Sequence, residues 1–596
     1  MSKLDFFIER GKKDLPMYIT DARRDFLASG GADLTLDLKR FDGAYRRICL
    51  KLPVAEIRSD GQREFVKEYF FAEVYNILSS LGGAELTVYA PSDDKNLTLI
   101  FDELKKAFGI GKSRKQRTGY GRSVNVIERM LDSQNAKAPF AINIVRDKAP
   151  KSPEKPARGQ AFAEHFAKAF AGVENKVLCG VDIGGTDIKL SVSLNGRLFF
   201  LKEYDWFPTL FTRSSQLIEP VCLLVRLLRA RVSCELAKID KSITESLDKA
   251  VNEHLSDAEI ERAVINAEKA LGKKIRGFDA VGLCFPDVVI KNKIVGGEVH
   301  KTRGIRENPG IDYETEFKKL MNLNDILAEY CVAGGKVCMT NDGPMAAFTA
   351  ALEMLAQGRG AELKYGRFAH TMGTDLGTGW IDETGKIPEI PLEAYNFIID
   401  LGSFKAREYH PDDLRSINNF NTRLPGTVQK FMGQNGVFRL AIKASQSGDC
   451  KLYGELLEKG FIAEKDGGVF VVLEPKDMRK PLLEYLMGLC ETGDKLTQEV
   501  FTEIGRATGI TICETEHILA PSTKERVLYG RLVKKPRCFE LIKKGAAEID
   551  KSFLISVADE QNAFTSLMLQ LKAHPTYTVA QFAQSVGALY YGNLYS

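Results

Sequence analysis

Apolar residues recur along the chain with two different spacings, which predict an alternation of helices and strands. Residues 64–82 and 217–231 carry apolar side chains at the spacing of one helix face. Residues 84–90 alternate between polar and apolar side chains, as a half-buried strand does. Residues 177–183 and 278–285 are short, nearly continuous apolar runs, which is typical of buried strands. The pattern therefore predicts an α/β protein.

The apolar run 177–183 leads into a turn that is suited to phosphate. The residues that carry this chemistry are Asp182, Gly184, Gly185, Thr186 and Lys189. Glycines let backbone N–H groups approach anionic oxygens, Thr186 adds a hydroxyl donor, and Asp182 can hold a hydrated Mg²⁺. A second strand and an Asn-Gly hairpin follow, whereas a Rossmann fingerprint or a P-loop would continue into a helix. The alternative is a glycine-rich turn with no ligand.

A second candidate site element is the junction of a strand and a helix near residue 341. A short strand is predicted at 337–340, and Pro344 begins a helix with small and apolar residues at helical spacing. Asn341 and Asp342 occupy the junction. Taken alone, Asp342 is better explained as a helix N-cap than as a functional residue.

A third element is a glycine-rich stretch between two predicted strands at 368–381. It contains Gly373, Thr374, Asp375, Gly377, Thr378 and Gly379. Two phosphate-type turns from separate halves of a chain are what a clamp on ATP requires, since each offers backbone donors to part of the triphosphate. A plain glycine-rich hairpin is the alternative.

These segments resemble the motifs of the ROK family of sugar kinases, within the larger group that includes hexokinases, actin and the heat-shock chaperone ATPases. Residues 177–189 are similar to the first phosphate motif of that family, and 373–379 to the second, G-T-G-x-G-x-G. Asn341 and Asp342 match the start of its N-D-x-N-A-A motif. Pro344 replaces the second Asn of that motif.

Two weaker segments extend the resemblance toward the carboxyl terminus. Residues 391–400 stand where the family has G-E-x-G-H, so that Glu393 aligns with the sugar-binding Glu and Asn396 replaces the His that serves both sugar and zinc. The resemblance therefore implies no structural zinc, since no cysteine occurs between Cys338 and Cys450. Residues 526–532 resemble the adenosine motif, with Gly530 and Arg531 beside the nucleoside.

The resemblance implies a fold and an activity. The implied fold is α/β, with two actin-like (ribonuclease H-like) lobes whose mixed sheets flank a cleft, preceded by an α/β amino-terminal region. The implied activity is that of an ATP-dependent carbohydrate kinase, which transfers the γ-phosphoryl group to a hydroxyl of a hexose or hexose derivative. A catalytically weak sugar- or nucleotide-sensing regulator of the same fold is the alternative, and another ATPase or an acyl kinase is a third reading.

The resemblance also assigns roles to particular residues. Asp342 would be the general base, Asn341 and Glu393 would bind the sugar with it, and Asp182 would hold Mg²⁺ directly or through water. The phosphates of ATP would contact Gly184, Gly185, Thr186, Lys189, Gly373, Thr374 and Gly377.

Pro-rich and charged stretches divide the chain. Residues 147–159 contain three prolines among alternating charges, which favours a linker or a surface strap. The predicted organisation is an uncharacterised α/β region at 1–146, a linker at 147–174, lobe 1 at 175–340 with a helical insertion at about 235–275, and lobe 2 at 341–596.

The amino-terminal region contains two patterns that invite a functional reading. Residues 109–113, GIGKS, look like the end of a P-loop, but Lys106 stands where its first glycine belongs. The basic residues that follow are Arg114, Lys115, Arg117 and Arg122. They form either a solvated loop or a loop that binds RNA or phosphate, and a charge run is more often the former.

Composition limits the remaining classes. The 596 residues are too many for one core, and a hydrophobic fraction of 44% with a net charge of +4 is ordinary for a globular protein. Eleven scattered cysteines without a C-x-x-C pair, and no long apolar run, favour a cytoplasmic protein with reduced thiols. The expected partners are a small-molecule sugar and ATP, with no membrane and no nucleic acid; homo-oligomerisation is left open.

Overall fold

The computed structural model describes residues 2–151, 162–373, 376–402, 407–447, 451–557 and 563–596. Contacts within the chain divide it into two compact units. The first unit comprises residues 1–157, 369–378 and 390–557, and the second comprises 158–368, 379–389 and 558–596. Residues 1–157 thus fold together with 390–557, an association that the sequence does not predict. The four-part organisation stays a prediction.

The described residues contain twenty α-helices and seventeen strands. Up to residue 145 they are α1 Lys3–Lys12, α2 Ile19–Leu27, β1 Ala32–Lys39, β2 Tyr45–Leu52, α3 Asp60–Leu81, β3 Glu85–Tyr89, α4 Lys95–Ala107, α5 Gly121–Ser133 and β4 Ala141–Val145. Up to residue 381 they are α6 Phe162–Phe170, β5 Val177–Ile183, β6 Asp187–Leu194, β7 Arg197–Asp205, α7 Ser215–Ala237, α8 Lys241–Asn252, α9 Asp257–Leu271, β8 Phe278–Phe285, β9 Val289–Ile290, β10 Lys293–Ile294, α10 Arg303–Glu307, α11 Tyr313–Met321, α12 Leu323–Ala328, β11 Cys331–Asn341, α13 Asp342–Ala356, β12 Arg367–Met372 and β13 Leu376–Ile381. The remainder are α14 Gly433–Gln446, α15 Lys451–Glu458, β14 Ile462–Lys465, β15 Gly468–Val471, α16 Arg479–Glu491, α17 Lys495–Leu519, β16 Glu525–Tyr529, α18 Pro536–Ile549, β17 Leu554–Val557, α19 Ser566–Lys572 and α20 Val579–Leu594.

The five-stranded sheet of the second unit has the order β11-β8-β5-β6-β7. Strands β5, β6 and β7 form an antiparallel meander, and β8 and β11 join β5 in parallel. This is the strand order of the ribonuclease H-like lobe predicted from the sequence, so the α/β fold class is confirmed. The predicted series of strand, turn, strand, hairpin and strand at 177–205 is likewise present.

Helices cover both faces of this sheet. Apolar side chains of α7 and α9 pack with those of β5, β6 and β8 in one continuous core. On the other face α20 approaches very closely, because a Cβ at Gly180 would lie 1.9 Å from the carbonyl oxygen of Ser585. A Cβ at Gly282 would likewise lie 1.7 Å from that of Ala588. Glycines in adjacent strands therefore let the last long helix rest directly on the sheet.

A second mixed sheet, largely in the first unit, has the order β13-β12-β16-β17. Strand β12 is parallel to β16, and β16 is parallel to β17. The order matches the first sheet without its third strand, which is absent among the residues that the structure describes. A third sheet, β2-β1-β3-β4, belongs to the amino-terminal region.

One helix in the first unit is longer than its local sequence suggests. The sequence of residues 497–509 and 511–519 predicts two short helices, but both segments lie in the single 25-residue helix α17. The glycines in this helix serve packing: a Cβ at Gly505 would lie 2.2 Å from the carbonyl oxygen of Ile542, and one at Gly509 would lie 2.9 Å from the side chain of Ile549. These glycines allow α18 to pack closely against α17, and they do not end α17.

Part of the segment predicted as a linker is helical. Residues 152–161 lie outside the described part of the chain, but α6 follows them, and its fully buried Phe166 packs against Phe348 with ring centroids 5.0 Å apart. Both rings belong to the second unit. No helix in the described ranges is both long enough and apolar enough to cross a membrane.

Candidate functional site

The glycine turn between β5 and β6 leaves two backbone donors available. The N–H of Gly184 donates to the carbonyl of Asp187, and the backbone and indole N–H groups of Trp206 hold the carbonyls of Thr186 and Gly184 at 3.0 and 3.1 Å. Gly185 and Thr186 are exposed, and within the described residues their N–H groups donate to no protein acceptor. A fixed turn with two outward N–H groups is an arrangement that binds anions.

Asp182 ends strand β5 beside the turn, in a partly buried position. The thiol of Cys284, its partner on β8, donates to Asp182 Oδ1 at 2.9 Å. Burial raises the pKa of Asp182 to about 6; the Cys284 thiol and Lys189 oppose this shift, and the charges of Asp342 and Asp187 add to it. A carboxylate that is costly to ionise beside other carboxylates is stabilised by a bound cation.

Asn341 and Asp342 stand where β11 ends and α13 begins. Asn341 caps the helix by accepting from the N–H of Gly343 at 2.9 Å, and its amide donates to the carbonyl of Asp287 at 2.8 Å. Asp342 Oδ1 also accepts from the N–H of Gly343, at 2.8 Å. The N-cap of α13 is thus Asn341, which leaves the second carboxylate oxygen of Asp342 outside the cap.

The strand register explains why these residues meet. Asp182 pairs with Cys284, and Thr340 pairs with Cys284 from the other side. The carboxyl ends of the three parallel strands β5, β8 and β11 therefore lie together, which is where ligands bind in open α/β sheets. The second unit brings together Asp182, the glycine turn, Asn341 and Asp342.

Lys189 is engaged within the protein. Its ammonium group forms an ion pair with Asp187 and lies 3.7 Å from Glu203. A phosphate of ATP would have to compete with these two acids for the ammonium group. The assignment of Lys189 to an ATP phosphate stays a prediction.

Lys301 is a residue that the sequence analysis missed. Its Cε lies 3.3 Å from the position that a Cβ would take on Gly185, so its side chain reaches the glycine turn between β5 and β6. No sequence signal indicates this, since Lys301 lies more than 100 positions further along the chain and matches no motif.

Asp287 stabilises the loop that follows β8. It is 2% exposed, and its two carboxylate oxygens accept from the N–H groups of Val288 and Gly297 at 2.8 and 2.7 Å. Residues 278–286 resemble the ROK-family strand that leads into a Pro-Gly turn, and Asp287 stands in place of that glycine. Its carboxylate supports the loop, and its carbonyl holds the amide of Asn341.

In the first unit the structure brings Gly373 and Gly530 together. Strands β12 and β16 are parallel neighbours, and a Cβ at Gly530 would lie 2.6 Å from the carbonyl oxygen of Met372. The φ of Gly530 is +92°, so the position requires glycine. Arg531 follows it, and Gly377 lies in β13. Thr374 and Asp375 lie outside the described residues.

Glu393 lies in the first unit, 9% exposed. Its carboxylate accepts from Tyr395 Oη at 3.2 Å and from Asn396 Nδ2 at 3.1 Å. Its backbone N–H, and that of Leu392, donate to the carbonyls of Ser79 and Ser80 in helix α3. The amino-terminal region therefore positions the segment that carries Glu393.

The basic loop of the amino-terminal region is held by ion pairs. Arg117 is 3% exposed and forms a bidentate contact with Glu128 at 2.6 and 2.7 Å, and Arg114 pairs with Asp132. These two side chains are therefore engaged within the protein, and the choice between a solvated loop and a binding loop stays a prediction.

No group of three or more His, Cys, Asp or Glu side chains able to hold a metal ion occurs among the described residues. Mg²⁺ commonly uses one or two carboxylates and completes its shell with water and phosphate oxygens. The pair Asp182 and Asp342 fits that requirement. The absence of structural zinc stays a prediction.

No protein-family model matches the chain, and no curated protein matches it. Among solved structures it is similar to ROK family proteins. A ROK family glucokinase from Streptomyces griseus, in complex with glucose and AMPPNP, is 16% identical with a TM-score of 0.36, over 69% of this chain and 97% of that one. A ROK hexokinase from Thermus thermophilus is 16% identical with a TM-score of 0.35, over 70% and 98%.

A ROK family transcriptional regulator, described as a homologue of the E. coli MLC protein, is 11% identical with a TM-score of 0.38. It covers 89% of this chain and 98% of that one. The solved structures to which the chain is similar thus include both sugar kinases and a transcriptional regulator.

Proposed function

We propose that the protein is an ATP-dependent sugar kinase that transfers the γ-phosphoryl group to a hydroxyl of a hexose or hexose derivative. The observation that carries the proposal is the meeting of Asp182 and Asp342 at the carboxyl ends of adjacent parallel strands, beside a turn with two available N–H groups. Phosphoryl transfer needs charge stabilisation and a positioned base, and these residue types supply both.

Asp342 would accept the proton of the attacking hydroxyl. One of its carboxylate oxygens accepts from the N–H of Gly343, which fixes the orientation of the group. A base held in this way contributes about 10²–10⁴-fold to the rate. Asn341 would orient the sugar hydroxyl, and its amide also donates to the carbonyl of Asp287.

Asp182 would hold Mg²⁺, directly or through water. The bound cation would offset negative charge on the phosphates. The N–H groups of Gly185 and Thr186 would donate to phosphate oxygens, and Lys301 would add a positive charge beside them. Gly373, Thr374 and Gly377 are proposed as further phosphate contacts, Gly530 and Arg531 as adenosine contacts, and Glu393 as a sugar contact.

The alternative is a sugar- or nucleotide-sensing regulator with little or no kinase activity. The observation that favours it is that Asn396 Nδ2 donates to Glu393 at 3.1 Å and Asn396 Oδ1 accepts from Asn419 at 3.1 Å. These contacts occupy polar groups that a sugar would need. A sensor also has no need of a general base, whereas this chain has Asp342 in an ordered position.

The test is ATP-dependent phosphorylation across a panel of hexoses, amino sugars and N-acetylated sugars. ADP release is followed by a coupled assay, and the phosphorylated product is identified by ³¹P NMR; reactions without sugar give the background hydrolysis. The proposal predicts sugar-dependent ADP release with a matching sugar phosphate. No turnover, together with a rise in melting temperature on adding ATP or a sugar, would favour the sensor instead.

A further inference from the structure

A cavity in the first unit has a strongly cationic wall. Its volume is about 630 Å³, and its lining includes the five basic residues Arg407, Arg415, Arg423, Arg439 and Lys443. We refer to it as the basic pocket. It contains none of the residues assigned to ATP, Mg²⁺ or sugar. Its size is within the range of cavities that hold small ligands.

The acids of the basic pocket balance only part of its charge. Lys443 pairs with Asp14 at 2.7 Å, and Arg415 pairs with Asp413 at 2.6 Å. Glu408 lies on the rim and is exposed. In the described part of the chain, the three other arginines of the pocket have no carboxylate within 4.0 Å. Three guanidinium groups therefore line the pocket without a carboxylate of the described residues in ion-pair contact.

Arg439 is the least expected of the three. It is 6% exposed, its Nε donates to the carbonyl of Lys430 at 2.8 Å, and its guanidinium lies 4.3 Å from the ring centroid of Phe431. Burial lowers the pKa of Arg439 from its ordinary value. The charges of Asp400, Asp14 and Glu503 oppose this shift without making an ion pair with Arg439. Taking a guanidinium out of water without a carboxylate in direct contact is costly, and an anion bound in the pocket would offset that cost.

Two other arginines are held by aromatic stacking. The guanidinium groups of Arg407 and Arg415 lie 5.0 and 4.4 Å from the ring centroid of Tyr409. Arg415 is further fixed by Asp413 and by the carbonyl of Gly467, which accepts at 2.8 Å. Guanidinium groups that are oriented in advance match the geometry of phosphate oxygens and lose little freedom on binding.

We propose that the basic pocket binds a small phosphorylated molecule, at a site separate from the one that binds ATP. A phosphate group carries more charge than a carboxylate and offers several acceptor oxygens, so it suits a wall of converging guanidinium groups. The cavity of about 630 Å³ is large enough to hold the organic part of the molecule as well. The proposal does not depend on the kinase assignment, because the two sets of residues do not overlap.

The test is calorimetric titration of the full chain with inorganic phosphate and with pyrophosphate. Arg407→Gln and Arg423→Gln remove two exposed guanidinium groups that make no ion pair, so the double variant is expected to fold. Lys465→Gln combined with Lys476→Gln, an equal loss of two positive charges at exposed positions of the same unit outside the pocket, is the control. We expect the double variant to bind pyrophosphate at least about tenfold more weakly, and the control to bind it as the native chain does.

The titration is repeated with saturating Mg²⁺ and a non-hydrolysable ATP analogue, and also on Asp182→Asn. Binding that survives both conditions supports a separate site, whether or not the chain phosphorylates any sugar. The proposal is overturned if neither probe binds saturably, if the analogue displaces pyrophosphate, or if the double variant binds as tightly as the control. Circular dichroism and the melting temperature without anion confirm that each variant is folded.

Discussion

Asp182 is the proposed Mg²⁺ ligand, and its ionisation in a buried position lowers the free energy of unfolding. Its pKa is about 6 in the folded chain against an ordinary value of 3.8. The folded state therefore holds this proton more tightly than the unfolded state, and stability from this group falls as the pH rises from about 4 to about 6. Shifted pKa values of this kind are common at functional sites.

Replacing the carboxylate should relieve this cost. We expect Asp182→Asn to stabilise the protein by about 1–3 kcal/mol at pH 7, and the gain to shrink as the pH is lowered to 4. The same variant should lose Mg²⁺-dependent ATP binding. Melting temperature across this pH range, with calorimetry of Mg-ATP binding, tests both statements. Equal melting temperatures for the variant and the native chain at pH 7 would contradict the assigned pKa.

The pH dependence of the native chain follows from the same group. Below about pH 6 Asp182 becomes protonated, and protons then compete with Mg²⁺ for its oxygens. We expect the Mg²⁺ concentration needed for half-maximal activity to rise as the pH falls from 7 to 5. A series of Mg²⁺ titrations at fixed ATP measures this, and a requirement that is constant with pH would rule out the assignment of Mg²⁺ to Asp182.

At the scale of the element, two adjacent glycines in the turn between β5 and β6 allow a matched pair of substitutions. A Cβ on Gly184 would lie 2.8 Å from the carbonyl oxygen of Asp187, whereas one on Gly185 would meet only the flexible end of Lys301 at 3.3 Å. We expect Gly184→Ala to lower the free energy of unfolding by about 1–3 kcal/mol and to weaken ATP binding strongly. Gly185→Ala should fold normally. Chemical unfolding and ATP titration compare the two, and equal stability would show that the turn tolerates a side chain.

Helix α3 supports the segment that carries Glu393. Asn76 Oδ1 accepts from the N–H of Ile398 at 2.8 Å, and its Nδ2 donates to the carbonyl of the same residue at 3.0 Å. We expect Asn76→Ala to destabilise the protein by about 1–3 kcal/mol and to speed hydrogen exchange in residues 392–401. Asn96→Ala, which removes only one contact of 3.5 Å to the carbonyl of Val54, is the control. Unchanged exchange in that segment would contradict the supporting role.

The sequence predicted the elements of the second unit well and the packing of the first unit less well. The Asp182 strand, its glycine turn and the following hairpin could be read from local residue order, because each depends on neighbours in the chain. The single helix α17 could not, because Gly505 and Gly509 are explained by α18, which lies about 30 residues further on. Lys301 beside Gly185 was missed for the same reason: only folding brings the two residues together.

At the scale of the whole molecule, a buried charge network ties the amino-terminal region to the rest of the first unit. Arg23 of α2 is 7% exposed and donates to Glu514 of α17 at 2.6 and 2.9 Å and to Glu73 of α3 at 2.8 Å. Both acids are fully buried. The first residues of the chain thus belong to the core of this unit, although the sequence assigned them no role.

Breaking this network should have a large effect. We expect Arg23→Ala to lower the free energy of unfolding by about 3–5 kcal/mol, because it leaves two buried carboxylates without this arginine. Arg24→Ala is the matched control, since its side chain is 71% exposed and pairs with Asp21 at the surface. The melting temperatures of the two variants give the comparison. Equal values would mean that the amino-terminal region does not depend on this contact.

The most direct test of the proposed kinase is the steady-state rate of Asp342→Asn on the sugar that the panel identifies. Asp93→Asn, an exposed acid in the loop before α4, is the control for the substitution. We predict a fall in kcat of about 10²–10⁴-fold for Asp342→Asn with ATP affinity retained, and a native rate for the control. A loss of less than about tenfold, with the variant folded and saturated, would contradict the role of Asp342 as general base.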